Sequence, residues 1–227
     1  MTAWPARRQA AAAGVLFVVL LLIQAFSTGS PPKFDDPAAK VVGYYGDHHR
    51  AILITMILSG MGLVVFLWFA TQLALILREA GQGVLTVAAF AGGVATVAVA
   101  AVGDAVNGAA DQITDNGGTP GLVRALYQMQ LFVFGRFYWT SLIVAAALAL
   151  AGWRGAMPRW NAYVCGLACV LLVLGGVSLK SAGAFAAGGA MPLLGFLAFL
   201  AVVLSTSIAL WTTATPAGAG RTAATPA

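Results

Sequence analysis

The chain has 227 residues, 60% of them hydrophobic and only 8% charged, with a formal net charge of +5. A soluble domain carries about a quarter of its residues as Asp, Glu, Lys or Arg, so this composition, with a mean hydropathy of +0.90, excludes a water-covered globule. Apart from Arg7-Arg8 the basic residues stand singly between apolar runs, where membrane topology places them, so no nucleic-acid partner is expected.

The length admits about six helices of roughly 20 residues and no separate soluble domain. An Arg7-Arg8 entry precedes an apolar run over 10–26, read as a retained first span, although a basic start before an apolar run also describes a signal peptide. Residues 27–45, with Gly29, Pro31, Pro32, Asp35, Asp36 and Pro37, read as an exposed loop. The second span, 47–77, opens on Asp47-His48-His49-Arg50.

A third span over 84–108 carries Gly92, Thr96, Ala100, Asp104 and Gly108 every four residues. Such a ridge lets two helix backbones approach closely, which drives helix association in lipid, in this chain or between copies of it. Residues 109–121, with Asp111, Asp115, Asn116, Gly117, Gly118 and Pro120, read as a loop. The fourth span, 127–153, has Arg136 near its middle among Phe132, Phe134, Phe137, Tyr138 and Trp139. The fifth span covers 162–179 and stops at Lys180; the sixth covers 192–211. The expected architecture is therefore an all-α polytopic transmembrane bundle of about six helices, a single domain over 1–213. A low-complexity tail over 214–227 is expected to be disordered.

Six spans place both termini on one side. With that side cytoplasmic, six basic residues lie inside and five outside, while Asp35, Asp36, Asp47, Asp111 and Asp115 fall in the outer loops. The expected address is the cell membrane, multi-pass, with cytoplasmic termini.

Several short motifs carry a resemblance: Ala6-Arg7-Arg8, Phe34-Asp35-Asp36, Tyr44-Tyr45 with His48-His49-Arg50, Phe66-Leu67-Trp68-Phe69 and Met157-Pro158-Arg159-Trp160. In these the chain resembles a broad group of uncharacterised six-span integral membrane proteins of actinobacterial type. The resemblance covers most of the chain and implies a fold and a membrane address, but no catalytic or binding residue.

The chemistry must come from placement. A guanidinium at membrane depth needs water, a carboxylate or backbone carbonyls. Asp104 lies about 30 Å above Val84, near the outer boundary, and Arg136 roughly 13–18 Å below that boundary. A direct Asp104–Arg136 pair and a water-filled outer cavity between them both fit. Arg136 reads either as a structural staple or as the counter-ion of a small anionic ligand, in an outward-facing pocket with Asp104, Asn107 and His48. Adjacent histidines on a helix point about 100° apart and do not readily share a metal, so no metal or other cofactor is expected. Cys165 and Cys169 read as packing residues. The expected function is a structural or accessory membrane component, with a homo-oligomer or membrane-protein partner as candidates besides the lipid bilayer. The alternatives are a binding protein or transporter using the pocket around Arg136 and, less supported by the supply of acids and bases, an intramembrane enzyme.

Overall fold

The structure, a computed structural model, describes residues 6–178 and 183–213. It contains helices α1 (Ala6–Ser27), α2 (Ala38–Glu79), α3 (Gly83–Asp115), α4 (Pro120–Trp153), α5 (Arg159–Gly176) and α6 (Ala190–Thr212), and no strand among the described residues. All six are long and apolar enough to cross a membrane, and large apolar side chains such as Ile57, Val64, Val87 and Leu167 face outward. The chain is thus an all-α, six-helix, multi-pass membrane protein with a lipid-facing surface. The stop at Lys180 and the tail over 214–227 lie outside the described residues.

We call the end carrying the α1–α2, α3–α4 and α5–α6 connections the upper end. At the lower end the turns are tight. Gly81 and Gly155 adopt φ of 74° and 82°, the left-handed conformation that ends a helix cheaply only at glycine. The following N–H groups of Gln82 and Ala156 donate back to the Leu77 and Ala151 carbonyls, both at 2.9 Å. Prolines mark helix starts at both ends of the bundle: Pro37 and Pro158 precede α2 and α5, and Pro120 opens α4, where a missing N–H costs nothing.

Helices α1 and α4 each pack against both α2 and α6, closing a ring of four, while among the described residues the backbones approach closely across neither diagonal, α2 and α6 meeting only through side chains such as Phe66 and Phe199. Helix α3 lies outside against α2 and α4, and α5 against α4 and α6. The lower half of the ring is filled by aromatic rings. Phe199 lies 4.8 Å from Phe137, 5.5 Å from Phe66 and 5.9 Å from Phe17, and Phe17 lies 4.8 Å from Phe66. Lower still, Asn161 Nδ2 donates to Ser205 Oγ at 3.0 Å, joining α5 to α6. Cys165 is buried one turn above, and both cysteines are unpaired thiols.

Three of the sequence-derived boundaries are corrected. Residues 38–45 are helical rather than loop, and Tyr45 is fully buried. Residues 109–115 continue α3, with Asp111 buried, and α4 begins at Pro120, seven residues before Tyr127. The physical reason is a second, smaller core. Val41, Tyr45, Ile52, Ala110, Val123 and Tyr127 pack together where α2, α3 and α4 run on past the shorter helices, so residues with turn-like composition are held helical by contacts among three helices.

The small-residue ridge of α3 is used up inside the chain. A Cβ at Gly92 would meet Ile143 and Val144 at 3.0–3.1 Å, one at Gly93 would meet Ala70 at 2.7 Å, and Gly108 abuts Met56. Thr96 and Ala100 are buried. The ridge therefore binds α3 to α2 and α4 and offers no face to a second copy.

The depth of Arg136 is also corrected. Tyr138 Oη donates to the Pro192 carbonyl at 2.8 Å, and Trp139 Nε1 to the Gly176 carbonyl at 3.2 Å. These are the first turn of α6 and the last residue of α5, so Tyr138 and Trp139 sit where the two shorter helices end at the upper side. Counting about 20 residues, or about 30 Å, from the lower end places the boundary near Ser59, Asp104 and Val133. Arg136 lies about one turn below this boundary, within a snorkelling side chain's reach of the headgroups, and its side chain is exposed.

Candidate upper-end binding cavity

Because the aromatic rings fill only the lower half, the upper half of the four-helix ring is hollow. Two confluent cavities occupy it. The lower, about 260 Å³, is lined chiefly by apolar groups, among them Phe17, Leu63, Phe137, Tyr138 and Phe196. The upper, about 800 Å³, adds Thr28, Lys33, Asp35, Tyr44, Asn107 and Gln130. Leu21, Gln24, Asp104, Leu131, Phe134 and Phe196 are among the residues lining both, and form the throat between them. Ligand pockets run from about 300 to 1,000 Å³, so the space suits a small molecule.

Asp104 is the one ionisable residue of the throat. It sits on the inward face of α3, and the Ser59 hydroxyl of α2 donates to its Oδ2. Among the described residues no other hydrogen bond to this carboxylate is found, and the residue is half-buried. Above it, Tyr45 Oη donates to Asn107 Oδ1 at 2.9 Å and lies 3.4 Å from Gln130 Oε1, so one phenol ties α2 to α3 and α4 at the cavity wall.

Residues 28–37 cross the mouth as a strap. The Tyr127 hydroxyl donates to the Pro32 carbonyl, Gln128 Nε2 donates to the Phe34 carbonyl at 3.0 Å, and the Phe34 ring meets Phe132 edge-on at 5.4 Å. The far end is closed by Asp36, which accepts from the Lys33 N–H and from Lys40 Nζ, each at 2.7 Å. The hydrogen bond from Lys40, and after it the one from the Lys33 N–H, hold the Asp36 carboxyl below the usual carboxylate range.

The four site residues expected from the sequence are thus divided. Asp104 and Asn107 line the cavity. His48 lies behind the strap, its ring stacked on Tyr44 at 4.7 Å and its Nδ1 2.9 Å from the Tyr44 carbonyl. Arg136 lines a separate shallow groove with Gln128, Met129, Phe132 and Val133, all on one outward face of α4. The structure pairs Asp104 with Ser59, not with Arg136. Of the polar residues near the start of α2, His49 finds a carboxylate, but it is Asp111, at 2.9 Å. No group of three metal-ligating side chains occurs among the described residues.

Gln24, Tyr45, Gln130 and the strap were not foreseen. Gln24 sits in an apolar span and could have been flagged as an intramembrane polar residue; Tyr45 and the strap carry no signal without the three-helix extension. No protein family, curated protein or solved structure matches this chain, so the site is argued from its own residues.

Proposed function

We propose that this protein is an integral membrane binding protein whose upper-end cavity takes a small amphiphilic molecule. The observation that supports this reading is the joining of a polar upper tier to an apolar lower tier at Asp104, with the aromatic floor closing the lower side. A packed structural bundle gains nothing from leaving its centre hollow, since association in lipid depends on close packing. The accessory role expected from composition rests on composition alone. The anionic ligand expected at Arg136 loses its geometric basis, because that side chain faces away from the cavity. Acid–base catalysis is poorly served, because the histidine–carboxylate pair found among the described residues, His49–Asp111, lies outside the cavity with its carboxylate buried. In the orientation with cytoplasmic termini, in the cell membrane, the mouth opens to the outside.

The test is native mass spectrometry of protein released from its own membrane. Gly135 lines the lower tier, and a Cβ there meets nothing within 4 Å, so Gly135→Phe fills the cavity with a ring. A bound small-molecule mass in wild type and in Arg136→Gln, absent from folded Gly135→Phe, is expected. A mass that survives Gly135→Phe, or no bound mass at all, overturns the reading.

A further inference from the structure

The chemical class of the occupant can be narrowed, and the narrowing rests on the cavity being a binding site. We propose that the cavity selects amphiphiles with an ammonium head, held by the Asp104 carboxylate at the throat, and an apolar chain or ring body in the lower tier.

Among the described residues, the side chains of the two tiers that carry a formal charge are Lys33, Asp35 and Asp104. Lys33 and Asp35 belong to the exposed strap and offset one another at the aqueous rim. Among the described residues, Asp104 is left as the unbalanced charge, at the level the two tiers share. A carboxylate at the edge of the hydrocarbon is costly unless a partner neutralises it, and Ser59 supplies a hydrogen bond but no charge. The carboxylate's other oxygen, Oδ1, has no protein donor among the described residues and is available to a ligand N–H.

Aromatic rings strengthen the case. Phe134 and Phe196 line the throat beside Asp104, and Tyr44 and Tyr127 line the tier above. Ring faces attract a cation within about 6 Å and repel an anion. A carboxylate with surrounding rings matches an ammonium, and disfavours a phosphate or carboxylate head. Depth agrees as well. Asp104 lies near the membrane boundary, the level at which the head of an ammonium amphiphile already rests in the bilayer, with its chain pointing toward the aromatic floor.

The experiment uses the full chain in phosphatidylcholine nanodiscs at pH 7. The probes are dodecylamine, which is an ammonium at this pH as a lysine side chain is, dodecanol and dodecanoate. Binding specific to the cavity is the part removed by Gly135→Phe. Wild type is expected to bind dodecylamine at least tenfold more tightly than dodecanol, and dodecanoate least. Asp104→Asn, which is isosteric, is expected to lose the amine preference, its amine-to-alcohol affinity ratio falling at least tenfold from that of wild type; Asp104→Glu is expected to keep it. An amine preference that survives Asp104→Asn, or equal affinity for amine and alcohol in wild type, overturns the ammonium assignment while leaving the cavity reading intact. If Gly135→Phe removes binding of none of the three probes, both readings fall. Should Asp104→Asn not fold, the wild-type order of the three probes still decides, an order led by dodecanol or dodecanoate being the refuting one.

Discussion

Replacing Phe199 with alanine probes the floor of the cavity. Phe199 is 1% exposed and meets three other rings, at 4.8, 5.5 and 5.9 Å. In lipid the ring gains little from transfer, because the surroundings of the separated helices are as apolar as the core. Its contribution is packing. An aromatic pair contributes about 0.5–1.5 kcal/mol beyond its buried area, so three pairs amount to about 1.5–4.5 kcal/mol, overlapping the about 3–5 kcal/mol that Phe→Ala costs in soluble cores. Phe199→Ala is therefore expected to lower the unfolding free energy by about 2–4 kcal/mol, and Phe199→Leu, which conserves most of the volume, by about 1 kcal/mol. The assay is equilibrium unfolding in mixed micelles by titration with sodium dodecyl sulfate, read by far-ultraviolet circular dichroism. A loss below about 0.5 kcal/mol for the alanine variant, the range of an unremarkable surface change, would refute the packed floor and with it the one-sided cavity.

Gly152→Ala places a Cβ 2.7 Å from the Ala162 Cβ and 3.3 Å from its backbone, so it is expected to cost about 1–3 kcal/mol by forcing α4 and α5 apart. Gly60→Ala, with open space around it, should be neutral or stabilising by up to about 1 kcal/mol in the same titration. Tyr45→Phe removes the donor to Asn107 and is expected to cost about 1 kcal/mol, seen as faster hydrogen exchange over 38–46 with the membrane-crossing part of α2 unaffected. Asp36 has a carboxyl held low in the folded state, so its contribution is fully present above the ordinary carboxylate range and is lost as pH falls through the lowered value. Protection from exchange at the start of α2, taken relative to the intrinsic exchange rate at each pH, should therefore fall as pH drops below about 4 in wild type, and the step should be absent in Asp36→Asn; an unchanged step in the variant would assign it elsewhere.

The six spans were legible because a run of some 20 apolar residues has one reading in a chain this poor in charge. The upper end was not legible, and the failures share one cause. Hydropathy marks where a helix can be in lipid, not where it stops being a helix. Gly43, Gly46, Asp111 and Asp115 look like turn residues, yet they are helical because Tyr45, Ile52, Val123 and Tyr127 build a second core above the membrane. Taking Tyr127 as the start of the fourth span then moved the boundary outward and buried Arg136 too deeply; the anchors that fix its depth, Tyr138 to Pro192 and Trp139 to Gly176, join residues 54 and 37 positions apart and leave no local trace. Asp104 and Asn107 were found because a polar residue inside an apolar helix is conspicuous on its own. His48 and Arg136 were equally conspicuous, but one sequence cannot say which way a helix is turned, and they face other neighbours.

The extension of α2 beyond the boundary has a mechanical consequence. From Ser59 to Ala38 the helix runs about 30 Å at 1.5 Å per residue, and at the base of this arm Ser59 donates to the carboxylate that faces the throat. A tilt of about 5° at that level displaces the far tip by about 2.6 Å over such an arm. The upper core joins α2 to α3 and α4 over that length, so on the binding reading proposed above a small tilt at the throat would appear, amplified, in the position of a surface that stands clear of the shorter helices.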